Sequence, residues 1–477
     1  MNEVFRVGFI NRWERPDPRQ GMNFASFLVP GHVYEAPYRL SSESSQVKRV
    51  LLDYPLQRES GAEGMAYSAG VRQGVFFSDG TPLTAEHVAA SLEKTPAFKL
   101  HASVAAHGDR VFFKLKRPNA RFEFALVRYD HCVVLEKGNQ LLGTGPYMVA
   151  SDARPDCYRL VRNPHFKSEV RLPEIECRVY PLDAEGRRQK LLDAVNRGEV
   201  DFTDELARDE LNRVERMRKC IDLGYCTALL YFNTERPLFA DSRVRMACAT
   251  AIDRKSLAAR SYSNALAFSA TGTIPPALGS TPDLITHDPR KARELLGQAN
   301  VKPSRLLMVT IPTPRPYLSE PRATAELVAA QLGQLGFQID IKQPRDLAEY
   351  RDIGRRGDYD LLLAGWIPDT PDPLDFMDSL LNSHCVPSAN EVLTGTNLSR
   401  WRNAAMDEAL AKQRLQPDQK TWERIGELVR NEVPMFPLMY GPRVAVVSWR
   451  ARNFPRDFGN GPFLAQVELP VNGQANG

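Results

Sequence analysis

Residues 357–381 read GDYDLLLAGWIPDTPDPLDFMDSLL. Tyr359 to Trp366 is a short apolar run with an aromatic residue at each end, which fits a strand buried on both faces better than a helix of two turns. Three prolines, Pro368, Pro371 and Pro373, follow at once and cannot continue a central strand, because each removes a ladder donor and forces extended or turn geometry. The chain is therefore expected to leave the sheet at Ile367, at the strand's carboxyl end. In open α/β sheets that end is where ligands bind, and here it carries an indole, Trp366, and two carboxylates, Asp369 and Asp372. Two readings of these residues stand side by side. One is a ligand rim; the other is a proline-stiffened turn whose acids cap the next helix and whose tryptophan packs in the core.

Outward from this stretch the chain alternates strand and helix signals. Upstream, Leu306 to Ile311 reads as a strand, Ala323 to Leu335 as a helix stopped by Gly336, and Phe337, Ile339 and Ile341 alternate as another strand. Downstream come helices at 401–413 and 421–431 and an apolar run ending near Val447. Nearer the start, Phe5, Val7 and Phe9 mark a first strand. Thr84 is a good N-cap for a helix with Val88 and Leu92 on its buried side, but His87 stands where a capping box wants Glu or Gln, so a reciprocal box is not expected. Residues 241–260 read as one long helix. Residues 261–287 lose all periodicity and collect Ser, Thr, Gly and Pro, which reads as a linker or crossover; 435–447 is the second such place.

A chain of 477 residues holds two or three cores, since single cores stop growing at about 250–300 residues. Lys+Arg 62 against Asp+Glu 58 is too balanced, and too unclustered, to argue for nucleic acid. Seven scattered cysteines without a CxxC pair form neither a disulfide framework nor a zinc site, and suit a reducing compartment. No apolar run is long enough to span a membrane, and the first residues read as a strand, not as a secretory signal.

Catalytic signatures are missing: there is no GxSxG, HExxH, P-loop or GxGxxG. His384 and Cys385 are adjacent but lack spaced partners to close a tetrahedron, so no metal site and no cofactor is expected. His131 and His165 read as surface or hydrogen-bonded strand-edge residues. A hydrolase is disfavoured because nothing brings a nucleophile and a base together.

Several stretches then converge. GVFFSDGTPLTAEHVAASL, GTGPY, Asn163-Pro164 followed by Phe166, RGEVDF, YFNTERPLFADSRVRMACATAIDR, DPRKARELL and GWIPDTPDP resemble, in that order, the markers of the family 5 extracellular solute-binding proteins, the oligopeptide, dipeptide and nickel type receptors of ABC transporters. The resemblance spans residues 4–450. It implies an α/β, two-lobe periplasmic-binding-protein-like fold (type II, large class with an extra inserted subdomain), its lobes joined by two crossover strands and closing on a ligand. The expected division is lobe I from 1–45, 141–268 and 445–477, an inserted subdomain at 46–140, and lobe II at 269–444.

By the same resemblance, Asp369 pairs with the α-amine of a peptide, and the backbone of Gly365, Trp366 and Ile367 forms strand-like hydrogen bonds with it. Thr370 stands where peptide-binding members carry an aromatic residue, at the first side-chain pocket. By spacing, Met22, Asn23 and Phe24 line the other side. The function implied is a non-enzymatic receptor, a monomer, that delivers a small peptide or similar amine-bearing solute to an ABC transporter permease. Metal chelates, sugars and opines are compatible with the same motif. The location implied is periplasmic, or cytoplasmic if Met1 is the native start; in that case the alternative is a cytoplasmic ligand-sensing or accessory module using the same clamshell.

Overall fold

The computed structural model describes residues 4–11, 17–20, 28–40, 46–60, 65–222, 226–261, 268–278, 285–368, 370, 372–388, 395–441, 443–455 and 462–470. They form two compact units. The first takes Met1–Asp222 and Val444–Gly477, and the second takes Leu223–Arg443.

In the first unit, Phe5–Phe9 lies parallel to both Glu174–Val179 and Phe202–Thr203 inside a seven-stranded sheet. Phe5, Val7 and Phe9 are buried among Leu160, Ile175 and Phe202, as the alternation of the first strand predicts. Arg443–Val447 returns antiparallel to Phe202–Thr203, so the end of the chain completes this sheet. Asp201, 1% exposed, fixes the three neighbouring strands: it accepts Arg6 N at 2.9 Å and Arg450 Nε at 2.6 Å, while Arg450 also donates to the Val4 carbonyl at 2.8 Å.

A separate four-stranded sheet, Gln57–Arg58, Ala66–Gly70, Arg110–Leu115 and Ala102–His107, carries its own core of Phe77, Val88, Leu92, Phe98 and Phe113. The helix Ala85–Glu93 starts at Thr84 with both halves of a capping box. The box expected to be absent is made by the imidazole of His87, whose Nδ1 accepts Thr84 N at 3.3 Å. His131 is likewise not at a surface or an edge. It is fully buried, with Nδ1 donating to the Ala125 carbonyl at 2.6 Å.

The second unit is built on a six-stranded sheet in the order Phe268–Ser269, Met435–Tyr440, Thr227–Phe232, Leu361–Trp366, Arg305–Thr310, Gln338–Lys342. Leu361–Trp366 is thus interior. Its one face (Leu361, Leu363) packs on the core that includes the helices Ser242–Ala251, Pro289–Gln298 and Pro321–Gly333; its other face (Leu362, Ala364) packs on the core of Pro373–Leu381, Ala404–Leu415 and Gln419–Glu432. Burial on both faces is what the unbroken apolar run requires.

Two expectations are corrected here. The chain passes from the first unit to the second after Asp222, not within 261–287, because Thr227–Phe232 hydrogen-bonds to Leu361–Trp366 and Phe268–Ser269 to Met435–Tyr440. Residues 223–268 therefore belong with the second unit; the return, at 443–444, falls inside the second stretch expected to cross. The pattern over 241–260 is two helices, Ser242–Ala251 and Arg254–Ser261, because Ile252 is extended (φ −90, ψ 118) and buries its side chain in the core.

Buried polar residues hold helix ends in place. Arg245, 1% exposed, donates to the carbonyls of Phe239 (2.6 Å), Ala240 (3.0 Å) and Glu432 (2.7 Å), the last at the end of Gln419–Glu432. Replacing it by methionine strands these acceptors. Arg245→Met should therefore lose more than about 3 kcal/mol of stability in urea titration, the scale of several unmet buried carbonyls.

His32 is buried and uses its two ring nitrogens in opposite senses. Nδ1 donates to the Leu28 carbonyl at 2.6 Å and Nε2 accepts Leu464 N at 2.8 Å, which only the neutral ring can do. Burial lowers its pKa to about 4, and that of His131 to about 3. Both pKa values are depressed in the fold, so the unfolded chain takes up protons first as pH falls below about 6.5. The first unit is accordingly expected to keep full stability above that pH and to lose it progressively down to about 4, by about 3 kcal/mol for His32 alone. Urea midpoints that do not fall between pH 7 and pH 5 would contradict this.

Candidate functional site

The carboxyl end of Leu361–Trp366 forms the candidate site. Its parallel ladder with Arg305–Thr310 stops at Leu363, whose carbonyl accepts Ile311 N at 3.3 Å; Pro312 then carries that strand away. On the other side the antiparallel partner continues, with Ala228 opposite Gly365 and Thr227 opposite Trp366. Gly365, Trp366 and Ile367 consequently extend past the end of the ladder with their parallel neighbour. Among the described residues no strand pairs with them on that side.

Gly365 is required by close packing. A Cβ there would stand 2.5 Å from Cδ2 of Tyr317 and would also strike the Thr227 carbonyl oxygen. Tyr317 comes from the turn after Arg305–Thr310, closed by the reciprocal bonds between Arg315 and Leu318 at 2.9 Å. The same turn packs on Gly441, where a Cβ would meet Tyr317 Cα at 2.6 Å.

Trp366 lies on the opposite face, packed against the cluster containing Leu362, Ala364 and Leu374. In register with it are Thr227, and beyond Thr227, Tyr440 of the adjoining strand. Direct partners in a ladder project to one face, so the three side chains form a row across the sheet's end. The Tyr440 hydroxyl accepts the backbone N–H groups of Thr271 and Gly272, each at 3.1 Å, which holds the 271–274 turn against the tyrosine end of the row. Three buried polar atoms here have no hydrogen-bond partner among the described residues: Trp366 Nε1, Thr227 Oγ1 and Thr273 Oγ1.

Beyond the rim the chain turns into the helix Pro373–Leu381. Asp372 is its N-cap, accepting Leu374 N at 3.0 Å, so the structural reading holds for this acid. Thr370 is buried; its hydroxyl donates to Asp375 Oδ2 at 3.1 Å and accepts Asp372 N at 3.4 Å, bracing the same turn. Ile367 packs on the first core of this unit. Asp369, Asn23, Phe24 and Met22 lie outside the described residues. Among the described residues no three His, Cys, Asp or Glu side chains gather as a metal would need.

Residues 58–386 match the model for the bacterial extracellular solute-binding proteins, family 5 Middle. The chain belongs to this family. It is a solute-binding receptor, and the family favours that role over a sensing module. Its fold is that of the two-lobe periplasmic binding proteins: it resembles HbpA2 from Haemophilus parasuis with a TM-score of 0.87 at 19% identity over 98% of this chain and 100% of that one. It also resembles the dipeptide-binding protein of Pseudoalteromonas sp. SM9913 in complex with Met-Leu, with a TM-score of 0.75, 20% identity, and coverage of 98% and 100%. Among curated relatives, the di/tripeptide-binding protein 2 of Pseudomonas aeruginosa (strain UCBPP-PA14) is 25% identical over 435 residues, 80% of this chain and 79% of the relative.

Most motifs of this family 5 protein do structural work that its side chains make plain. A Cβ on Gly143 or Gly145 of GTGPY would run into the backbone of Val33, so these glycines allow the segment to lie against the helix Leu28–Val33. Asn163, fully buried, donates to the Gly145 carbonyl at 2.8 Å and holds that segment. Asn233 of YFN donates to the carbonyls of Gly357 (3.1 Å) and Tyr359 (2.8 Å), tying the start of the central strand to the end of its neighbour. GWIPDTPDP differs in ending at a ladder edge and in carrying an unpartnered donor.

Gly365→Ala should lower stability by about 1–3 kcal/mol, the usual cost of overpacking, read as a shifted melting curve. An unchanged melting temperature would mean Tyr317 does not rest on this glycine.

Proposed function

We propose that this receptor captures a short peptide or a similar solute with a free amine and delivers it to an ABC importer, without chemical change to the solute. The observation that carries this reading is the backbone edge at Gly365–Ile367, left without a strand on one side where its parallel neighbour ends. Such an edge accepts an extended main chain by strand addition, which reads backbone and tolerates varied side chains. Asp369 follows three residues after Trp366. In this reading its carboxylate meets the solute's ammonium group in a charge-assisted hydrogen bond, roughly twice as strong as a neutral one. Asn23 and Phe24 are assigned to the facing wall, and a periplasmic location goes with the role. The relative named as a di/tripeptide-binding protein supports the solute class. Thr370, whose hydroxyl is used within the turn, is assigned to the first side-chain pocket.

Native mass spectrometry of protein purified from its own host should reveal a captured mass of peptide size. With a free-amine peptide as ligand, Asp369→Asn should weaken calorimetric affinity by more than about 1.5 kcal/mol, the scale of a hydrogen bond to a charged group. Equal affinity in the variant removes Asp369 from the site.

A further inference from the structure

At the sheet's end are three buried hydrogen-bonding atoms for which the described residues supply no partner. Thr227 is 0% exposed and Thr273 is 3% exposed; their Oγ1 atoms and Trp366 Nε1 are all buried and unpartnered. A buried polar group left unmet carries its full desolvation cost, and native folds tolerate few of them without a use. That two of them belong to directly paired residues, and the third to a turn bound to the next residue of the same register, is the informative point. Thr227 and Trp366 are opposite one another in register, and Thr273 sits in the turn bound to the hydroxyl of Tyr440, which is Thr227's partner on its other side. Tyr440 itself is not available, because its hydroxyl is used by that turn.

The indole sets the polarity of the group. Its N–H only donates and so requires an acceptor, while each threonine hydroxyl, which can donate one bond and accept two, can turn to donate to that same acceptor. Together they present up to three donors and no fixed charge of their own. An sp² oxygen with lone pairs to share can meet the indole and both hydroxyls turned to donate. A carbonyl oxygen can take two such bonds, and a carboxylate can take all three.

We propose that Thr227, Thr273 and Trp366 form an acceptor-oxygen subsite of the receptor, receiving a carbonyl or carboxylate oxygen of the solute and so deciding which solutes are held. This rests on the solute-binding reading above and adds a polar determinant on the indole face of the strand. Shielded from solvent, each bond there is stronger than it would be in water.

The test exploits the absence of partners. Thr227→Val and Thr273→Val keep the side-chain shape and remove only the hydroxyl, so the free protein should be as stable as the wild type or more stable. Affinity for a panel of free di- and tripeptides, measured by calorimetry, should fall at least tenfold in each single variant. A peptide with an amidated C-terminus separates the two oxygens: tenfold or greater loss on amidation assigns a carboxylate, and equal binding with the valine effect retained assigns a main-chain carbonyl. Valine variants that bind as the wild type does, whether destabilised or not, overturn the subsite, the hydroxyls then serving the fold or holding an ordered water only. If the wild type binds no peptide and carries no solute from its host, this proposal falls together with the reading beneath it. Loss of affinity in Asp369→Asn alone, with both valine variants unaffected, sinks the subsite and spares that reading.

Discussion

The second unit depends on a single constraint: Leu361–Trp366 must be covered on both faces and paired along the whole of one edge and the first half of the other. Leu361, Leu362 and Leu363 are fully buried, each removal from water worth about 1.5–3 kcal/mol as an upper figure. The neighbouring strands meet that demand unequally. Thr227–Phe232 runs the full length of the central strand, whereas Arg305–Thr310 gives out at Leu363. The prolines after Trp366 prevent the strand from continuing past this step. An uneven sheet end, one residue type on each face and a ladder edge between them, is therefore a direct product of where three strands stop.

Closure of that end also explains why glycines and a tyrosine recur there. Gly365 and Gly441 both make room for the turn that carries Tyr317. The ring covers one face of the central strand's end while Trp366 covers the other. At the opposite end of the strand, Asn233 holds Gly357 and Tyr359 through their carbonyls. The strand is thus fixed at its start by a side-chain amide and at its finish by packing, which leaves its last backbone groups held in place yet open on one side.

Local pattern carried most of this fold. Alternation at Phe5, Val7 and Phe9, the apolar run at 359–366 and the glycine stop at 336 each reflect burial or backbone geometry that a few neighbouring residues determine. Where the reading failed, the deciding contact was remote. Residues 261–287 look like a linker because they lack period, yet Phe268–Ser269 is an edge strand of the second sheet, fixed by Tyr440 and Met439 far along the chain. The helix break at Ile252 comes from burial in the core, and the His87 box from an imidazole doing the work of a carboxylate. The site divides the same way. The placing of Gly365 and Trp366 at a strand's carboxyl end was legible because that strand and its proline stop are local. Thr227 and Thr273 were not, since a threonine at a strand's start or in a loop is ordinary, and its lack of a partner exists only in three dimensions. The one available signal was the threonine immediately before ALLYFN, on the indole's face by period two.

The order in which the chain visits its units has a bearing on biosynthesis. Residues 223–443 are one uninterrupted segment, while the sheet of the first unit needs Arg443–Val447 to fill the place between Phe202–Thr203 and Arg218–Asp222. As the ribosome emits the polypeptide from its amino end, the interior segment can assemble completely while the earlier unit still waits for a missing strand. The final stretch of translation then inserts that strand and brings Arg450 to Asp201. A chain ending before residue 443 would lack the strand that joins Phe202–Thr203 to Arg218–Asp222 in its first sheet.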